Sequence, residues 1–262
     1  MTPDTEVAPA VQARGLTKRF GAKTAVGGVD LDIPRGSFFG LVGPNGAGKT
    51  TSMSMMTGLL RPDSGTVRIL GQDVWRDPVG IKSRVGVLPE GLRLFERLSG
   101  RELIGYTGRL RGLAADVVGL RGGELLSVLG LTADADKLVV DYSTGMRKKI
   151  ALAAALLHNP EVLFLDEPFE GVDPVSAGTI REVLHRFTRS GSTVIFSSHV
   201  MELVEQLCDH LAVINHGRVV AAGPLDAVRG GASLHQAFLS LVGVAPRGDG
   251  EEELAWLGSS SG

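Results

Sequence analysis

Cysteine is nearly absent. Cys208 is the single thiol in 262 residues, so no intramolecular disulfide can form and a reducing compartment is the default setting. Net charge is almost absent too. With 27 Lys and Arg against 29 Asp and Glu, the chain stands at −2. That supplies neither the basic footprint of a nucleic-acid binder nor a general attraction to an anionic membrane. Long apolar runs are missing. The longest, Ile150 to Leu157, falls far short of the roughly 18–20 residues that cross a bilayer, so no membrane span is expected. Met1 to Ala10 carries neither a basic region nor an apolar block, which excludes a secretory signal there. No repeat of solenoid or propeller period is present. Hydrophobic content of 43% belongs to a packed globule, and the length suits one large α/β domain or two closely joined subdomains.

The most informative stretch is Gly43-Pro44-Asn45-Gly46-Ala47-Gly48-Lys49-Thr50, which satisfies G-x-x-x-x-G-K-[ST] at every constrained position. It follows the apolar run Phe38–Val42 and precedes a helical stretch, Thr51 to Leu59. Strand, glycine-rich loop and helix are the setting this motif requires. Successive loop N–H groups and the positive end of the helix converge on phosphates. Lys49 is expected at the β- and γ-phosphates, and the Thr50 hydroxyl at Mg²⁺.

Upstream, Val11–Leu16 and Ala25–Ile33 read as short strands, and Phe20 sits in the turn between them. Thr66–Leu70 and Val85–Leu88 read as further strands, with turns at Gly71-Gln72-Asp73 and Asp77-Pro78. Ser99-Gly-Arg-Glu102 is a capping box opening a helix through about Arg111. A second helix is expected over Asp116–Leu129, and a third from near Met146 to the Asn159-Pro160 break. Ser99 to Asn159 therefore reads as a helical block inserted in an α/β chain. Val162–Leu165 is a buried strand that ends in Asp166 and Glu167, and Ser192–Phe196 is another, ending in Ser197-Ser198-His199. In open parallel sheets such strand ends carry the ligand site. Asp166 is expected to hold Mg²⁺, Glu167 to polarise an attacking water, and His199 to meet the γ-phosphate. An amphipathic helix is expected over Val175–Arg189, a hairpin at Asp209–Ala222, and a short helix over Ser233–Val242. Cys208, at helical spacing from Val204 and Leu207, reads as a small core residue.

This order of motifs resembles the nucleotide-binding subunit of ATP-binding cassette (ABC) transporters, from about Val11 to Gly223. Tyr142-Ser143-Thr144-Gly145-Met146 is similar to the family's signature loop, in the form found in the branch that energises exporters of the ABC-2 type. Gly171-Val172-Asp173 is similar to its D-loop, and Glu90 stands where the Q-loop glutamine does. The resemblance implies an α/β fold of the P-loop NTPase type: a mainly parallel core, an N-terminal antiparallel β subdomain and an inserted helical subdomain at about 90–159. The cassette would span 11–242, between a flexible arm at 1–10 and a flexible tail at 243–262.

It further implies Mg²⁺-dependent ATP hydrolysis. The site would comprise Phe20 on the adenine, Gly43 to Thr50 with Thr51 on the phosphates, and Thr50, Glu90 and Asp166 at the metal. Lys49, Glu167 and His199 would serve catalysis, while Ser143, Gly145 and Asp173 would act across a dimer of two ATPase subunits. A separate multi-spanning permease would be the partner, at the cytoplasmic face of the membrane, with Glu90–Leu98 as its docking surface and no nucleic acid involved. Glu90 and Glu170 depart from the family's commoner residues, as do Tyr142, Thr144 and Met146. A soluble ABC ATPase of DNA repair or translation and a small-molecule P-loop kinase are the competing readings. The first lacks the expected inserts, and the second leaves Ser143–Met146, Asp173 and His199 unexplained.

Overall fold

A computed structural model describes residues 8–91 and 93–243. The chain opens with β1 (Val11–Phe20) and β2 (Lys23–Ile33), reaches β3 (Phe38–Val42), and passes through the glycine-rich loop into α1 (Lys49–Met56). Strands β4 (Ser64–Ile69) and β5 (Gln72–Asp73) follow, then α2 (Pro78–Arg84) and β6 (Val85–Leu88). Helices α3 (Gly100–Leu110), α4 (Ala115–Val128) and α5 (Thr144–Leu156) form the inserted block. The chain returns through β7 (Val162–Leu165), α6 (Pro174–Arg189), β8 (Thr193–Ser198) and α7 (Met201–Leu207). It closes with the hairpin β9 (His210–Asn215) and β10 (Arg218–Pro224), then α8 (Leu225–Arg229) and α9 (Leu234–Val242).

Two sheets result. One is antiparallel, in the order β2-β1-β4-β5. The other has six strands, β10-β9-β3-β8-β7-β6, parallel except for the terminal β9–β10 pair. The parallel strands are apolar on both faces because both faces are covered. Alternation along each strand sends Phe39, Leu41, Phe164 and Ile195 into a core shared with β1, β2 and α1. Phe38, Val42, Leu163, Leu165 and Phe196 point into the opposite core, against the helices of the inserted block and α6. Cys208 belongs to this second core and is buried. It lies just past the end of α7, in extended backbone.

The capping box at Ser99 is realised in full: Ser99 Oγ accepts from the Glu102 N–H at 3.2 Å and Glu102 Oε2 accepts from the Ser99 N–H at 2.8 Å. Several boundaries differ from the sequence expectation. Strand β1 continues through Phe20, expected in a turn, and Gln72-Asp73, also expected in a turn, pair as β5. Asp77-Pro78 is the start of a helix, with Asp77 capping the Gly80 N–H at 2.8 Å and proline at the first helical position, which is a helix-start signal as much as a turn signal. Helix α5 begins at Thr144 because Ser143 caps it, receiving the Met146 N–H. Ala10, placed in the arm, is fully buried; its N–H donates to Ile33 and its carbonyl accepts from Leu70. The rest of the expected arm, up to Val7, and the tail beyond Gly243 lie outside the described residues.

Candidate functional site

Four loops leave the parallel sheet at one edge. They follow β3, β6, β7 and β8, whose C-terminal residues Val42, Leu88, Leu165 and Ser198 are neighbours or near neighbours in register. This is the end of an open α/β sheet where ligands bind, because the helices and turns beginning there present N–H groups without intramolecular partners. The loops enclose a cleft of about 360 Å³ lined by Phe20, Lys23, Asn45, Gly46, Gly48, Lys49, Thr50, Thr51, Glu90, Glu167, Glu170 and His199, among others. Phe20 stands at its mouth with half of its surface (53%) in solvent.

The loop itself is held by backbone approach. Gly48 caps α1 at φ 107°, and a Cβ there would lie 2.6 Å from the Ala25 carbonyl oxygen, so only glycine fits. The buried Lys49 ammonium donates to the Gly43 carbonyl at 2.8 Å and lies 3.8 Å from Glu167 Oε1. Glu167 Oε1 is also 3.1 Å from His199 Nδ1. One carboxylate oxygen thus faces a fixed cation and a titratable ring.

Behind these groups, Ser197 Oγ donates to Asp166 Oδ1 and accepts the Glu167 N–H at 2.9 Å. Asp166 is buried, and desolvation raises its pKa above the ordinary carboxylate value; the hydrogen bond from Ser197 opposes the rise. Thr50 Oγ1 donates to Glu90 Oε2 at 3.0 Å.

Glu90, Glu167 and Glu170 bring three carboxylates to the cleft, and Asp166 stands behind Glu167. Hydroxyl and carboxylate oxygens at Thr50, Glu90 and Asp166 are the hard donors Mg²⁺ prefers. Among the described residues no set of three or more His, Cys, Asp and Glu forms a complete metal cage.

Ser143, Gly145 and Asp173 lie apart from this cleft; none of them is among its described lining residues. They meet one another instead. A Cβ on Gly145 would stand 2.8 Å from Asp173 Oδ2 and 2.7 Å from Ser176 Oγ. Asp173 caps α6 by accepting from the Val175 and Ser176 N–H groups, which lowers its pKa. Ser143, Asp173 and Val175 are exposed, Val175 by 78%. Tyr142, one of the departures in the signature-like loop, is buried and donates its hydroxyl to the Asp134 carbonyl at 2.8 Å, so it anchors this loop to the inserted block.

The family described as ABC transporter matches residues 26–170, more than half of the chain. The chain belongs to the ABC transporter ATP-binding family. Among its relatives, the daunorubicin/doxorubicin resistance ATP-binding protein DrrA of Streptomyces peucetius is 35% identical over 96% of this chain and 76% of that protein. The linearmycin resistance ATP-binding protein LnrL of Bacillus subtilis is 38% identical over 81% of this chain and 68% of its own length. A solved ATP-binding subunit of an ABC transporter superposes with a TM-score of 0.82 at 28% identity, covering 88% of this chain and 99% of that one. This ABC ATP-binding subunit is thus a transport ATPase whose antiparallel sheet, parallel core and inserted helical block are those expected from its motifs. No described helix is long and apolar enough to cross a membrane.

Three residues at the site were not singled out by the motifs. Ser197 was read only as part of a strand end, yet it bonds Asp166 and the Glu167 N–H together. Glu170 was noted as a departure and lines the cleft. Lys148 belongs to no motif, yet its ammonium is buried and donates to the Glu167 carbonyl at 2.7 Å. The available signal was a lysine beside Lys149 on a helix whose next residues, Ile150 to Leu157, are all apolar.

Proposed function

We propose that this subunit closes with a second ATPase subunit around Mg-ATP, hydrolyses it, and thereby drives export through a separate multi-spanning permease. The observation that carries the reading is the division of the functional residues. Lys49 and His199 lie within 3.8 Å of Glu167 in one cleft, while the exposed Ser143 and Asp173, with the buried Gly145 between them, are not among the residues that line it. Two copies arranged head-to-tail would complete each other's sites.

In the completed site the loop N–H groups from Gly43 to Thr51 and the N-terminus of α1 bind the phosphates. Phe20 stacks on the adenine. Lys49 and His199 donate to the γ-phosphate, and the Glu167 carboxylate takes the proton of the attacking water. Ser143 and Gly145 of the partner subunit face that phosphate from the other side, with Asp173 beside them. Thr50, Asp166 and Glu90 would hold Mg²⁺. When bound, Mg²⁺ would supply positive charge to offset that of the phosphates.

Export is supported by the relatives, which include a Nod factor export ATP-binding protein of Ralstonia nicotianae, 39% identical over 82% of this chain and 67% of its own. The permease would dock where Phe95 lies exposed edge-on to Tyr106, with ring centroids 4.9 Å apart, between Arg93 and Arg97. On this reading the subunit works at the cytoplasmic face of the membrane.

The test is Glu167→Gln. Turnover should fall by roughly 10²–10⁴, the range for loss of a general base, while the variant dimerises in Mg-ATP by light scattering. A monomer under those conditions, or an unchanged rate, rejects the reading. Recovery of the tagged wild type from membranes with a stoichiometric multi-spanning protein tests the permease; recovery with ribosomes or DNA-processing proteins favours the soluble alternative.

A further inference from the structure

Glu167 has an unusual backbone for a residue charged with positioning a water. Its φ is +45°, the left-handed region that L side chains rarely adopt, and Pro168 follows it, restricting its conformation further. Such a conformation persists only when its surroundings determine it more than once. Here two side chains hold the two ends of the residue. Ser197 Oγ accepts the Glu167 N–H at 2.9 Å, and Lys148 Nζ donates to the Glu167 carbonyl at 2.7 Å.

Lys148 is buried, and burying an ammonium is costly unless charge and hydrogen bonds compensate it. Glu170, Glu167, Asp166 and Glu90 all act on it to favour the charged form, against the desolvation that lowers its pKa. Yet Lys148 is not among the residues lining the nucleotide cleft. It is placed to act on the glutamate and away from the phosphates.

Its position on the chain matters as much. Lys148 lies in the first turns of α5, the helix that Ser143 caps and that carries Gly145 at its start. We infer that Lys148 is a positioning residue for hydrolysis: it fixes the main chain of Glu167 and joins that glutamate rigidly to the helix presenting Ser143 and Gly145. Any displacement of α5 when those two residues engage the partner's nucleotide is thereby delivered to Glu167 of the same chain. The inference rests on the proposed roles of Glu167 and of the Ser143–Gly145 loop.

The test compares the full-length wild type with Lys148→Met, Lys148→Gln and Lys148→Arg, each alone and combined with Glu167→Gln. Lys148→Met should lower kcat by about tenfold or more, with nucleotide affinity within about twofold of wild type, and Lys148→Arg should recover most of the rate. In the Glu167→Gln background, Lys148→Met should lower the residual rate by less than about twofold, because residues acting as one unit are not additive. That non-additivity is the reading a merely structural lysine would not produce. If Lys148→Met does not fold, Lys148→Gln, which keeps an N–H donor, is judged by the same measurements. A full loss repeated in the Glu167→Gln background overturns the inference, as does a fall in nucleotide affinity that matches the fall in kcat. Normal turnover by Lys148→Met beside an inactive Glu167→Gln overturns it alone. Normal turnover by Glu167→Gln overturns the assignment of the base, and this inference with it.

Discussion

In the cleft beyond β3, the charged groups Lys49, Asp166 and Glu167 are buried and answered by one another and by Ser197. At the start of α5, Ser143 and Asp173 are exposed, and each uses an oxygen to cap a helix. The first region is a concave cleft lined by the glycine-rich loop, Lys49 and carboxylates. The second uses its oxygens in local caps and leaves Ser143 and Asp173 exposed, with Gly145 packed against Ser176 and Asp173. Burial makes charges in the cleft strong and specific, since a low local dielectric magnifies each interaction. Exposure leaves the α5 end inert until another surface removes it from water. On the proposed reading, one chain carries a cleft with Lys49, Glu167 and His199, and a separate Ser143–Gly145 loop that would complete the site of a partner.

Substitutions that separate the two halves give the largest effects. Lys49→Ala should abolish nucleotide binding, measured by fluorescent ATP titration, because it removes the cation aimed at the phosphates. Gly145→Val should leave that titration unchanged and lower turnover by roughly 10² or more, of the order seen when phosphate- or oxyanion-binding donors are lost. The side chain would collide with Ser176 and Asp173. Loss of ATP binding in Gly145→Val would erase the distinction between the two regions.

An intermediate effect is expected at the far end of α5. His158 is half-buried, its Nε2 is 3.0 Å from both Arg111 and the Val85 carbonyl, and its Nδ1 has no hydrogen-bond partner. Burial, reinforced by the Arg111 charge, lowers its pKa to about 4. The unfolded chain, with an ordinary histidine, takes up the proton first as pH falls, so stability drops between about pH 6.5 and pH 4 and is retained above. The wild type should lose up to roughly 3 kcal/mol more than His158→Gln across that window, read as the difference in Tm against pH. Parallel Tm curves would show that the site is not the source.

The smallest effect belongs to a purely local feature. Ser99→Ala removes one half of the capping box and should cost about 1 kcal/mol in chemical denaturation, with ATP binding unaltered.

Much of this was legible in the chain. Gly43–Thr50 is local by nature: a loop that must wrap phosphates needs glycines at fixed spacing, whatever lies around it. The same holds for the Ser99 capping box, and for the continuous apolar strands, which announce a sheet covered on both faces. The strand ends at Asp166 and His199 were also readable, because a parallel sheet brings all its C-terminal ends to one edge. Asp77-Pro78 was ambiguous, since a helix start and a turn share those residues, and packing of Ile81 into the core settles it. The motifs readable from the chain are thus those whose chemistry is complete within a few consecutive residues. Tertiary structure alone decided that Ser197 would bind Asp166 and Glu167 together, that Lys148 would hold the carbonyl of a left-handed Glu167, and that Ser143 and Gly145 would stand apart from the cleft. Those are contacts between residues 19 to 31 positions apart in the first two cases, and a separation in space in the third. No periodicity or spacing encodes either, because both depend on where the sheet and α5 come to rest against each other.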